Sequence, residues 1–246
     1  MGVQSSFGFT LGRMEKGKLN KITDVPGVRV GHVTRHEGGI NTGVTAILPH
    51  TGDTFHDKCP AASHVINGFG KSIGLVQVNE LGTIETPLLL TNTLSVGTAA
   101  TALVKYMLER NADIGCDTGT VNPMVFECND GHLNDIRGLH VTEQNALDAL
   151  ANAVDDFEEG AVGAGSGMSC YSLKGGIGSA SRVFELYGNK YTVGALLLTN
   201  FGTLRDLTIG GERVGERLYQ KKEAEKAAAE QQDKGSVIII IATDAP

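Results

Sequence analysis

The run Val237-Ile238-Ile239-Ile240-Ile241-Ala242-Thr243 constrains this chain more than any other segment. Branching at Cβ crowds a helix and suits a pleated strand. An apolar run with no polar alternate predicts a strand buried on both faces. Only Asp244-Ala245-Pro246 follows it. A central strand with nothing after it is unusual, and the natural protein is expected to continue past Pro246.

The rest of the chain alternates strand and helix signals. Lys21 to Gly31 reads as a strand, a Pro26-Gly27 turn and a second strand, and Gly43 to Pro49 as another short strand closed by proline. Ser72 to Gly82 predicts a short helix stopped at a glycine. Pro87 to Asn92 predicts a buried strand, after which Ser95 is placed to cap a helix from Val96 to Glu109. Met124 to Cys128 reads as a strand entering the polar loop Asn129 to Asp135. Thr142 opens a second long helix ending near Val154, Tyr191 to Asn200 is a buried strand, and a charged helix runs from Glu216 to Gln232. This alternation predicts an α/β fold, and 246 residues without a Pro- or Ser-rich linker suit a single domain.

Composition excludes several classes of function. A formal charge of −7 with scattered Lys and Arg gives no electrostatic footprint for nucleic acid. The start Met1-Gly2-Val3-Gln4-Ser5-Ser6 has no basic region followed by an apolar stretch, and no run reaches membrane-spanning length, so a cytoplasmic protein without membrane contact is expected. Cys59, Cys116, Cys128 and Cys170 show no CxxC and no metal-ligand spacing with histidine; buried free thiols and no metal are expected. Gly163-Ala164-Gly165-Ser166-Gly167 lacks the GxxxxGK[ST] pattern of a phosphate loop and reads as a bend. Asp155-Asp156 and Glu158-Glu159 read as a solvated helix end. No cofactor is implied.

The chemistry concentrates at Gly235-Ser236. A serine opening an interior strand can bring its hydroxyl onto the carbonyl behind it, and glycine permits the backbone that such an attack needs. An N-to-O acyl shift followed by hydrolysis would leave Ser236 as a new N-terminus, its α-amino group, with an ordinary pKa near ~8, available as the base. The same dipeptide is also a common turn ahead of a strand, and alone it does not decide between them.

Several separated segments decide it by likeness. Ile22-Thr23-Asp24-Val25-Pro26-Gly27-Val28-Arg29-Val30-Gly31-His32, Asn79-Glu80-Leu81-Gly82, Glu85 through Gly97, Leu133-Asn134-Asp135-Ile136, Lys174-Gly175-Gly176-Ile177-Gly178-Ser179-Ala180-Ser181-Arg182 and Gly235 through Pro246 occur in one order along nearly the whole chain. Together they resemble the self-processing aminopeptidases that include L-aminopeptidase/D-esterase and the β-peptidyl aminopeptidases.

The resemblance implies a four-layer α/β/β/α sandwich, similar in its layers to the N-terminal-nucleophile hydrolases but differently connected. It implies scission between Gly235 and Ser236, dividing an α-subunit region 1–235 from the start of a β-subunit at 236–246, with the two subunits remaining associated. Ser236 is then the nucleophile, Asn200 an oxyanion donor and Glu127 the carboxylate that holds the substrate's free amino group. The implied activity is removal of N-terminal residues from short peptides, amides or esters by a homo-oligomer. One branch of the family places a tyrosine donor just after the Glu127 position, where this chain has Cys128, Asn129 and Asp130. The family's further serine and glutamate partners fall beyond residue 246. Two alternatives stay open: an acyltransferase resembling ornithine acetyltransferase, which would start its second subunit with threonine, and an uncleaved, non-catalytic homologue.

Overall fold

A computed structural model describes residues 12–223 and 235–246. Two sheets face each other. The first has strand order β1-β2-β3-β4, with β1 Arg29–Glu37, β2 Ile40–Leu48, β3 Leu88–Asn92 and β4 Met124–Cys128. Its first three strands are antiparallel neighbours, whereas β3 and β4 run parallel because helix α2 (Val96–Arg110) lies between them in the chain. The second sheet is antiparallel with order β7-β6-β5, where β5 is Gly176–Leu186, β6 Asn189–Asn200 and β7 Ser236–Thr243.

Strand alternation assigns the faces. Val44, Ala46, Leu89 and Val125 point away from the second sheet and pack under Ala99, Ala102 and Leu103 of α2 and Ala146, Ala149 and Leu150 of α3 (Glu143–Ala151). Val30, Ile47, Leu88, Leu90, Met124 and Cys128 point inward and meet Ile177, Leu196, Leu198, Ile238, Ile240 and Ala242. Each fully buried Leu or Ile in this seam contributes roughly 1.5–3 kcal/mol. Helix, sheet and sheet are thus the layers built by these elements. Short helix α1 (Leu75–Leu81) ends at left-handed Gly82, as its sequence predicts, and α4 spans Val214–Glu223. The remainder of the helix predicted to Gln232 lies outside the described residues, as do the first residues from Met1. No helix of the described residues is long and apolar enough to cross a membrane.

Several expectations are corrected. Ile22–Asp24 is a 3-10 turn, not a strand: the Asp24 carboxylate accepts from the N–H groups of Leu19 (2.9 Å) and Lys21 (3.1 Å) and curls the chain, while Ile22 is fully buried. Ser95 holds the N-cap position of α2 but its buried Oγ makes no capping bond; the side-chain cap lies one 3-10 turn earlier, where Asn92 Oδ1 accepts from Leu94 N (3.1 Å) and Ser95 N (3.0 Å). Strand β7 is not buried on both faces among the described residues: Ile238 and Ile240 pack inward, while Ile239 and Ile241 are exposed because no described element covers the outer face. The acidic pairs are not a helix end, since α3 stops at Ala151; Asp156 instead pairs with buried Lys21 at 2.6 Å and Glu159 accepts the Ser179 N–H at 2.7 Å. Gly163–Gly165 is a buried 3-10 turn, and a Cβ at Gly163 would lie 2.4 Å from Thr45 Oγ1, so close packing explains this glycine. Of the cysteines, all free, only Cys128 is buried; Cys116 is exposed.

On the surface, His56 bridges two loops, with Nδ1 2.6 Å from Asp53 and Nε2 2.9 Å from Asp113. Those hydrogen bonds raise the imidazole above its ordinary 6.5, Asp53 first and Asp113 second. The bond from His56 lowers Asp113 below 3.8. Asp53 is lowered too: burial acts the other way, but the bonds from His56 and the Phe55 N–H outweigh it. A raised histidine stabilises below its unfolded value and loses that as pH rises through its folded value. A lowered carboxylate stabilises above its unfolded value and loses that as pH falls through its folded one. The urea midpoint of the His56→Ala variant should therefore lie furthest below that of the parent between pH 3.8 and 6.5, with the gap closing above and below that window. A gap independent of pH would show that the bridge contributes nothing as a charge pair.

Candidate active site

The antiparallel register of β6 and β7 runs unbroken from Val193↔Thr243 to Asn200↔Ser236. Leu196, Leu198 and Asn200 alternate onto the inner face, as do Ile240, Ile238 and Ser236. The two polar residues therefore continue two apolar rows and emerge together where the seam between the sheets ends. Asn200 Nδ2 donates to Ser236 Oγ at 3.3 Å.

The orientation of the Asn200 amide is determined by groups that can each play one role only. The Ser169 backbone N–H donates at 3.1 Å, so the atom facing it is Oδ1; the Asn129 carbonyl accepts at 2.9 Å, so the atom facing it is Nδ2. One amide hydrogen is used on Asn129, and the other is aimed at the serine hydroxyl. The amide is thus a preorganised donor beside the serine hydroxyl.

Across the seam, β4 supplies the third wall. Cys128 lies on the inner face, where its Sγ lies 3.8 Å from the Leu198 carbonyl and meets the Ser236 hydroxyl. Burial pushes the thiol up to about 12, which the hydrogen bond from Ser236 only partly offsets, so at neutral pH it is a protonated wall and not a nucleophile. Next in the chain, Asn129 and Asp130 turn away from β4. Asp130 is fully buried and accepts from Asn134 Nδ2 at 3.0 Å; burial raises its carboxyl pKa.

Gly235 is required by crowding. A Cβ there would stand 2.2 Å from Phe201 Cα and 2.6 Å from the Asn200 carbonyl oxygen, which real Cβ atoms do not tolerate. The peptide bond before Ser236 is thereby held against the end of β6.

Glu127 is not joined to this pair by a hydrogen bond. Alternation sets it on the helix-facing side of β4, where its carboxylate accepts from the Lys71 N–H at 3.0 Å and from the Thr93 hydroxyl, beside the first turn of α2. It is buried, and no basic side chain pairs with it among the described residues. The sequence reading therefore named Ser236, Asn200 and Gly235 as a group that is found together. It missed Cys128, Ser169 and Asn129, because the last two reach Asn200 from 31 and 71 residues away and no local pattern marks them.

Comparison with known proteins follows the same line. The model of peptidase family S58 matches residues 20–246. The beta-peptidyl aminopeptidase BapA of Sphingosinicella microcystinivorans is 40% identical over 249 residues, covering 94% of this chain and 62% of the relative. The chain thus spans about three fifths of that relative's length. Among solved structures, a protein from Pyrococcus horikoshii OT3 superposes with a TM-score of 0.91 at 54% identity, over 99% of this chain and 68% of its own. The L-aminopeptidase D-Ala-esterase/amidase of Ochrobactrum anthropi, described as a variant of the Ntn-hydrolase fold, gives 0.83 at 36% identity, over 96% and 66%. The sandwich is therefore of the Ntn-hydrolase kind.

The thiol assignment has a direct check. With a thiol alkylating reagent at pH 8, peptide mass analysis should find exposed Cys116 modified in the folded protein and Cys128 modified only after denaturation. Equal rates at the two would refute the buried, protonated wall.

Proposed function

We propose that this chain, which belongs to peptidase family S58, carries the nucleophile of a self-activating aminopeptidase, and that Ser236 becomes an N-terminus by cutting the Gly235–Ser236 bond. The hydrogen bond from the oriented Asn200 amide to the Ser236 hydroxyl is the observation that carries this reading.

In the first reaction Ser236 Oγ attacks the Gly235 carbonyl carbon and the C–N bond breaks, giving an ester to Oγ and a free α-amino group. Water then attacks the ester; the Gly235 carboxylate leaves and the hydroxyl is restored. In the second reaction the α-amino group takes the hydroxyl proton as Oγ attacks the substrate carbonyl, and passes it to the leaving amine or alcohol. Water releases the acyl group by the same route. In both, the second Asn200 N–H is placed for the oxyanion, worth about 3 kcal/mol at the transition state. The β6–β7 ladder keeps the two fragments together after scission.

Glu127 supports an aminopeptidase over a general amidase. A buried carboxylate without a basic partner suits the ammonium of a substrate N-terminus, whose desolvation is costly unless an anion meets it. Peptides, amides or esters with a free amino end are the proposed substrates. A homo-oligomer working in the cytoplasm belongs to the same proposal, and light scattering of the purified protein tests its assembly.

Freshly expressed full-length protein should resolve on denaturing electrophoresis into two fragments whose masses meet at Gly235/Ser236. Ser236→Ala should remain one chain and be inert toward aminoacyl p-nitroanilides; hydrolysis retained in that variant would defeat the mechanism. Asn200→Ala should lower kcat by about 10²–10³ with KM little changed. Glu127→Gln should instead raise KM by about ten- to hundredfold, the value of one charge-assisted hydrogen bond; an unchanged KM would remove Glu127 from the amino-group site.

A further inference from the structure

We propose that Lys174 is a positioning residue for the Asn200 amide, acting through the turn that joins Ser169 to Lys174; the inference rests on the role proposed above for Asn200. The turn is a two-residue ladder, Ser169↔Lys174 and Cys170↔Leu173. Tyr171 and Ser172 at its tip both have left-handed backbone, φ 52° and 55°. This primed conformation normally selects Asn or Gly, and two consecutive side-chain-bearing residues hold it only where their surroundings impose it.

Those surroundings are visible. The Lys174 ammonium folds back beneath the turn and donates to the carbonyls of Gly165 (2.9 Å), Met168 (3.0 Å) and Gly175 (2.8 Å). All three ammonium hydrogens are thus spent on backbone, on both sides of Ser169, and no carboxylate pairs with the charge among the described residues. Partial burial of the ammonium lowers its pKa, although the residue as a whole remains exposed. The Gly175 N–H adds a bond to Met168 O at 2.9 Å. The tip is docked by the Tyr171 N–H on Phe201 O at 2.7 Å and by the Tyr171 ring on Phe201.

What this turn delivers is the Ser169 N–H on Asn200 Oδ1. Without that donor the amide is held only through Asn129, and its second hydrogen is free to swing off Ser236. Lys174 therefore touches neither nucleophile nor substrate, yet sets the direction of the group that does.

In the full-length protein, Lys174→Met keeps the stem and removes the donors. With an aminoacyl p-nitroanilide, kcat should fall about ten- to hundredfold while KM stays within about twofold. In an Asn200→Ala background the same replacement should change kcat by less than about twofold, since the group it acts through is gone. Lys174→Arg, which retains donors, should recover part of the loss. Equal losses in both backgrounds, a loss confined to KM, or a wild-type kcat in Lys174→Met each overturn the inference. Should Lys174→Met fail to fold by circular dichroism, Lys174→Gln in the two backgrounds carries the same comparison. An Asn200→Ala protein of wild-type kcat would instead refute the oxyanion role of Asn200, a failure of the earlier reading recognisable on its own.

Discussion

The antiparallel ladder between β6 and β7 is the constraint on which the rest depends. Because side chains alternate strictly, a slip of one residue in that ladder would turn Ser236 and the isoleucines behind it to the outer face and leave Asn200 opposite a different partner. The register is held by burial: Leu196 and Leu198 on one strand and Ile238 and Ile240 on the other must all reach the seam with the first sheet. Core packing and the placement of Ser236 are consequently one event. The hydrophobic rows bring the serine to the mouth of the sandwich.

Around that ladder, polar groups with a single role each specify the amide. A backbone N–H from one side and a backbone carbonyl from the other leave Asn200 a single orientation, and the close approach of Gly235 to Phe201 leaves little freedom to the bond before Ser236. Two of these neighbours sit on loops whose own conformation is dictated from elsewhere: the Asn129 loop by buried Asp130 and Asn134, the Ser169 turn by Lys174 and Tyr171. Preorganisation of this kind is what allows one hydrogen bond to count at a transition state.

Much of the fold was legible in the sequence. The leucine run opening Leu88–Asn92, the proline-closed strand before it and the glycine-stopped helix at Leu75–Leu81 are strong local signals and fold as read. The segment at Lys21 to Val25 misleads because its valine and isoleucine mimic alternation, whereas the Asp24 carboxylate bonding back to two N–H groups governs the turn. Ser95 holds the cap position its spacing predicts without making the capping bond, because a 3-10 turn capped by Asn92 leads into the helix. In the site, Ser236 was legible as the polar residue that opens an apolar run, and Asn200 through the family resemblance. The burial of Glu127 was not, since it depends on Lys71 and Thr93 arriving from other segments.

What the amino-acid order determined by itself was the identity of the last strand and the fact that Ser236 shares a face with Ile238 and Ile240, because extended backbone repeats every second residue. An unbroken β-branched run carries no preference for either face, so which side turns inward had to be decided elsewhere. Only the tertiary structure chose it, along with the presence of Cys128 across the seam and of Asn129 and Ser169 at the amide. Register and layer stacking are sums over contacts between distant segments, and a local pattern contains no information about which distant segment will supply them.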